Sequence, residues 1–312
     1  MDRRHQRSAD LHDNLRVKTL TNHSHHGRFE FSAIADRPKV TWPNDARVAV
    51  WIIPNVEHFH FNSRGPMLDP SLATLFPDVQ SYGWRDYGVR VGFWRLNEII
   101  QKHGFKGTLA INSDVCEFYP RIIEEASRVG WEFLAHGASN SKLLTDLSEA
   151  DEEQVIQTSL NVIKSATGRS PRGWLSPVLS ESLNTLDILA RNGVEYVADW
   201  TNDEQPYEMN VKSGRLFAMP YSLESNDYPA FLNLNQSPES FGRTLKDQFD
   251  VLYDEGKESG RVMAICLHPF ITGHPHRAKY IDDALAYISK KGGAWKATGS
   301  EILDWFKSTV AT

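Results

Sequence analysis

The stretch ARVAVWIIPN at residues 46–55 is a short apolar run rich in Val, Ile and Trp that ends on a polar residue. A run of this length and β-branched content reads as a strand buried on both faces. The same pattern recurs in KGTLAIN (106–112), WEFLAHG (131–137), RGWLSP (172–177), VEYVADW (194–200), RLFAMPY (215–221) and RVMAICLHP (261–269), with GAWKAT near 293 as a further candidate. Between these runs lie amphipathic segments of helical length. YGVRVGFWRLNEIIQKHG closes at Gly104 and YPRIIEEASRVG at Gly130, while SEADEEQVIQTSLNVIKSATG opens on Ser148 with acids in its first turn, the end signals a helix uses. NTLDILARNG, SPESFGRTLKDQFDVLYDEG and RAKYIDDALAYISKKGG follow the same plan. Alternating βα units with right-handed crossovers predict an α/β fold, a closed or nearly closed (β/α) barrel of about seven or eight parallel strands.

Working outward, no Pro/Ser linker or charge block divides residues 46–308. One barrel domain is therefore expected over residues 41–312. It is preceded by an N-terminal extension, residues 1–40, that shows no sustained period and holds His5, His12, His23, His25 and His26. The chain has 312 residues with 34 Lys+Arg against 40 Asp+Glu, a formal charge of -6. That balance argues against a nucleic-acid partner or an anionic membrane surface, which call for a basic excess. Two cysteines, Cys116 and Cys266, sit in apolar stretches and make neither a disulfide framework nor a thiolate zinc site. The first thirty residues hold no apolar core of a signal peptide, and nowhere do 18 apolar residues run together, so a cytoplasmic location is expected.

In a βα barrel the site forms where the strands end at their C-terminal side. Here those ends are polar. The first run gives Asn55, Glu57 and His58, the second Asn112 and Asp114, and the third His136 with Ser139 and Asn140. Later runs give Ser176, then Asp199, Trp200, Asn202 and Asp203, then Tyr221, and finally His268. His268 suits acid–base work because an imidazole titrates near neutrality, and Asp199 is the carboxylate expected to orient it. Trp174 and Trp200 are expected to wall a ligand pocket, with Asn55, Asn140 and Tyr221 as further substrate contacts.

Six segments in this order, PNVEHF (54–59), DYGVRVGFWRL (86–96), AHGASNS (135–141), RGWLSP (172–177), VADWTNDEQPY (197–207) and CLHPF (266–270), resemble the polysaccharide deacetylase superfamily. This is the NodB-homology group, carbohydrate esterase family 4, and the likeness is to its branch of metal-independent allantoinases and related cyclic-amide hydrolases. The resemblance spans residues 40–308 and implies a distorted barrel of about seven strands that hydrolyses a C–N bond outside peptides. The family's first motif pairs a base carboxylate with a metal-binding one. The match allows two registers: Glu57 as base with His58 as ligand, or Asn55 at the base position with Glu57 as ligand. Glu57 is preferred as base, since an Asn carboxamide takes no proton from water. The second motif has two histidines four residues apart, and here His136 is followed by Asn140. Leu175 stands where the third motif carries an Arg. Asp199 and Trp200 match the family's Asp-Trp pair, and His268 matches its catalytic histidine.

These readings predict amide hydrolysis by general acid–base catalysis on a small amide, ureide or cyclic imide. Glu57 acts as base, His268 oriented by Asp199 as acid, and His136 as the polarising group, helped by Asn140, by N–H groups near Gly137 or by a metal. The metal set would be His136 with Glu57 or His58; the expected cofactor is none or one divalent ion, zinc if any. Two readings compete: a metal-dependent N-deacetylase of an N-acetylated sugar or polysaccharide, and a non-catalytic carbohydrate-binding barrel. A homo-oligomer is expected.

Overall fold

The computed structural model describes residues 26–62, 76–145 and 147–310; most of the expected extension lies outside them. The elements run β1 (Val48–Val56), α1 (Val79–Tyr87), α2 (Phe93–Lys102), β2 (Thr108–Ile111), α3 (Ser113–Phe118), α4 (Pro120–Arg128), β3 (Glu132–Ala135) and α5 (Glu149–Thr167). Then come β4 (Gly173–Trp174), α6 (Thr185–Arg191), β5 (Tyr196–Val197), β6 (Tyr207–Met209), β7 (Leu216–Ala218), α7 (Pro238–Glu255), β8 (Arg261–Leu267), α8 (Pro275–Lys291), β9 (Ala294–Lys296) and α9 (Gly299–Thr309). Among the described residues no helix is long and apolar enough to cross a membrane.

The strands form one curled sheet in the order β6-β7-β5-β4-β3-β2-β1-β8, with β9 also paired to β1. Every pairing is parallel except β6 with β7. β6 is an added antiparallel edge strand that the sequence reading did not single out. Residues 207–209 fold back on β7 as a hairpin whose connection includes Gly214 at φ 77°, a left-handed backbone that glycine adopts without strain. Beyond β8, Val262 N–H donates to Glu204 O at 2.8 Å and Asn226 bridges Cys266, so loops cover that edge of a sheet that curls as a distorted (β/α) half-barrel.

β1 is buried along its whole length, and its alternating side chains serve two cores. Val48, Val50, Ile52 and Val56 join the layer packed under the helices, whereas Ala49, Trp51 and Ile53 fill the barrel interior. β8 splits likewise, with Met263, Ile265 and Leu267 outward and Val262, Ala264 and Cys266 inward. The period of two therefore decides which residue at each strand end faces the barrel mouth. Extending the inward register places Asn55 in the last pleat of β1, Glu57 just after it, His136 after β3 and His268 after β8 on the inner side. His58 and Trp174 fall on the outer register.

A close contact seats the last of these. Gly92, immediately before α2, lies so near the 268–273 loop that an added Cβ would stand 2.0 Å from Pro269 O, and at Gly88 it would meet Phe270 N at 2.7 Å. The two glycines of DYGVRVGFW thus let this helix lie directly against CLHPF.

Candidate active site

Glu57, His136, Asn140, Asn55, Tyr221 and His268 line one cavity of about 240 Å³ at the C-terminal mouth of the barrel. Glu57 is its centre. Its Oε1 accepts a hydrogen bond from Asn140 Nδ2 at 2.6 Å and stands 3.5 Å from His136 Nε2 and 3.7 Å from His268 Nε2. Burial alone would raise the Glu57 pKa; the His136 hydrogen bond and the positive charge of His268, His136 and Arg85 outweigh it and leave the group below the usual carboxylate range. Glu57 is a carboxylate at neutral pH, the state a base needs.

His268 ends β8 with its Nδ1 held 2.6 Å from Asp227 Oδ1, while its own N–H donates to Asp227 Oδ2 at 2.7 Å. Burial lowers its pKa, but the charge and hydrogen bond of Asp227, with Glu57 adding to them, raise it above the ordinary imidazole value. Nε2 of a protonated His268 faces the cavity as a proton donor. The expectation that Asp199 orients His268 is therefore corrected: Asp227, in the loop after β7, does so. Asp199 follows the outward register of Val197, accepts the Ser176 N–H at 2.6 Å and sits beside Glu181. Burial and the neighbouring Asp199 push Glu181 up to about 9, and burial pushes Asp199 up to about 6.

His136 is set by its own partner. Nδ1 lies 2.7 Å from Leu175 O, and a carbonyl only accepts, so Nδ1 carries the hydrogen and Nε2 points to Glu57. Gly137, at φ 67° and packed on Pro177, turns the chain immediately after it. The donor set can then be tested against a metal. Buried Nε2 of His136, whose neighbour is Glu57 Oε1 at 3.5 Å, gives with the Glu57 carboxylate two ligand atoms. The third position belongs to Asn140, whose orientation the network fixes. The His58 N–H donates to Asn112 Oδ1 at 2.8 Å, so Asn112 Nδ2 donates, to His136 O and, at 2.9 Å, to Asn140 Oδ1. Asn140 thus turns its NH₂, not its carbonyl, toward Glu57. Catalytic zinc takes three protein ligands; the set here is one short and does not fit it.

Three further expectations are corrected, those for His58 and Trp174 by register and that for Trp200 by its packing. His58 leaves the pocket, stacking on Phe118 at 4.5 Å with Nδ1 3.2 Å from Tyr119 OH, so it joins no ligand set with His136. Trp174 packs in the outer layer under the helices. Trp200 donates to Glu181 at 3.0 Å and packs on Phe29, 5.2 Å between ring centroids, and walls no part of the cavity. The cavity is lined instead by Phe59, Leu179, Leu223 and Tyr228, and by Arg85 of α1, which lies 3.9 Å over the Phe59 ring. Arg85, Asn226, Asp227 and Tyr228 were not singled out from the sequence, because they lie in a helix and a loop that no strand-end rule reaches.

Comparison with known proteins agrees with this architecture. Residues 84–197 match the family profile described as polysaccharide deacetylase. A Schizosaccharomyces pombe protein named as a polysaccharide deacetylase is 27% identical over 297 residues, covering 84% of this chain and 90% of that protein. The Helicobacter pylori peptidoglycan deacetylase is 26% identical over 263 residues, covering 74% of this chain and 88% of its own length. Among solved structures, PuuE allantoinase superposes with a TM-score of 0.80 at 23% identity, covering 90% of this chain and 99% of that one; at that identity the likeness speaks to the fold. Residues 84–197 thus carry a polysaccharide deacetylase domain, and over most of its length the chain is similar to deacetylases, hydrolases of carbon–nitrogen bonds outside peptides.

Proposed function

We propose that this protein hydrolyses the amide, ureide or cyclic-imide C–N bond of a small molecule by general acid–base catalysis with its own side chains. The observation that carries the reading is one buried carboxylate, Glu57, flanked by two imidazole Nε2 atoms at 3.5 and 3.7 Å, with an Asn NH₂ where a third metal ligand would be. Glu57 takes a proton from water as the water oxygen bonds to the carbonyl carbon. The tetrahedral oxyanion develops near Arg85 and His136, and His268 Nε2–H protonates the leaving nitrogen as the C–N bond breaks. Each proton transfer contributes on the order of 10² to 10⁴ in rate, and preorganised charge at the oxyanion a comparable factor.

A cavity of about 240 Å³ suits one small molecule or one sugar unit. The similarity to the peptidoglycan deacetylase favours a second reading, removal of the acetyl group from an N-acetylated sugar, which is the same bond change on another substrate. Turnover of allantoin-like ureides, hydantoins and N-acetylglucosamine oligomers is compared with purified protein, before and after chelation. Ureide or imide turnover that survives chelation supports the first reading. Turnover of N-acetyl sugars alone, abolished by chelation, overturns it. A cytoplasmic, homo-oligomeric enzyme is part of the proposal, and size-exclusion with light scattering measures the second point.

A further inference from the structure

Behind the catalytic carboxylate, on the outer register of the same segment, His58 and His60 converge on Asp114 of α3. Among the described residues this is the set of three His, Cys, Asp or Glu side chains that could share a metal ion, with one ligand atom from each within 4.8 Å of the others. His60 Nε2 lies 2.8 Å from Asp114 Oδ2, and the His58 and His60 rings are 5.3 Å apart between centroids. Phe59 between them turns the other way, toward Phe270 and Arg85, which leaves the two imidazoles on one side of the chain.

We propose that His58, His60 and Asp114 form a divalent transition-metal site, separate from the catalytic pocket. Two imidazoles and one carboxylate are the borderline N/O set that zinc takes, with a fourth position for water; calcium and magnesium prefer oxygen alone. The supports around the ligands are in place. His58 stacks on Phe118 at 4.5 Å, and the His60 N–H donates to Ser141 Oγ at 2.9 Å. The side chains of His60 and Asp114 are 34% and 26% exposed while His58 is buried, so solvent reaches the cluster from one side. The bound ion clamps the segment carrying Glu57 to α3. Asn140 N–H donates to His58 O at 3.1 Å, so the clamp also bears on the residue that holds Glu57.

The test is zinc binding by the chelated full-length protein, read by equilibrium dialysis with elemental analysis and by the shift of the melting temperature. To silence the extension, the background carries His5→Gln, His12→Gln, His23→Gln, His25→Gln and His26→Gln. The expected result is one zinc per chain and a melting temperature that rises with zinc. His60→Ala and Asp114→Asn each weaken binding at least tenfold, and Glu57→Gln and His136→Ala keep it. His60→Gln is the fallback should His60→Ala melt below the apo parent. Failure to bind one equivalent, equal binding by the His60→Gln/Asp114→Asn double variant, or loss of zinc in Glu57→Gln or His136→Ala overturns the proposal. None of these outcomes depends on turnover, so the catalytic reading stands or falls separately.

Discussion

Asp227 Oδ1 lies 2.6 Å from His268 Nδ1, and the same carboxylate accepts the His268 N–H at 2.7 Å and the Thr272 hydroxyl at 2.6 Å. Three donors on one buried carboxylate fix both the tautomer and the charge of the imidazole. Asp227→Asn is expected to lower kcat by on the order of 10² to 10⁴ and to destabilise by about 3 to 5 kcal/mol, the cost of breaking a buried ion pair. The folded pKa of His268 is raised, so the pair stabilises fully below the unfolded value of about 6.5 and ceases to as pH climbs through the folded value. Activity is lost over the same climb. In Asp227→Asn that alkaline limb moves to lower pH; an unmoved limb would assign the acid to another group.

The strands and their polar ends are legible because short apolar runs rich in β-branched residues close on Glu57, His136 and His268, which come from three separate strand ends and meet in one cavity. A run buried on both faces does not show in its letters which end residue faces inward, so His58 and Trp174, on the outer register, are not distinguished from the pocket residues. Asp227 was illegible for a different reason. SNDYP at residues 225–229 is a polar loop after β7, and what places it beside His268 is the bridge from Asn226 to Cys266, a long-range pairing with no local signature. The antiparallel β6 was missed likewise, since three residues with one buried side chain make no pattern.

Glu57 sets the other end of the pH profile. Its folded pKa is lowered, so its charge stabilises the fold above the unfolded value of about 4.3, and that contribution is lost as pH falls through the folded value. The acid limb of kcat/KM is therefore expected below about 4.3, giving a plateau that spans neutrality. Glu57→Gln is expected to lose on the order of 10² to 10⁴ in kcat. An acid limb near pH 6 in the wild type would show that Glu57 is protonated in the resting enzyme and is not the base.

Gly92→Ala tests the helix contact that seats the His268 loop. The added Cβ would stand 2.0 Å from Pro269 O, a backbone atom that yields only if the loop moves. A destabilisation of about 1 to 3 kcal/mol is expected, with kcat reduced more than KM is raised, because the displaced loop carries the acid. Urea denaturation and steady-state kinetics on one preparation check both. Wild-type stability would mean that the helix and loop slide apart freely.

Glu181 offers a test whose sign is opposite to that of Glu57. Burial and the adjacent Asp199 push it up to about 9, so it is folded as a neutral acid at pH 7 while the unfolded chain has already released the proton. Stability must then decline as pH rises from about 4.3 toward 9. Glutamine reproduces the neutral carboxyl: its carbonyl can accept the Trp200 Nε1–H that Glu181 takes at 3.0 Å, and its NH₂ can donate to Asp199. Glu181→Gln is therefore expected to match the wild type within about 1 kcal/mol at pH 5, as a volume-conserving change does, and to exceed it at pH 8. Urea unfolding at the two pH values measures the difference. A loss of several kcal/mol at both would show that Glu181 serves the fold as an anion.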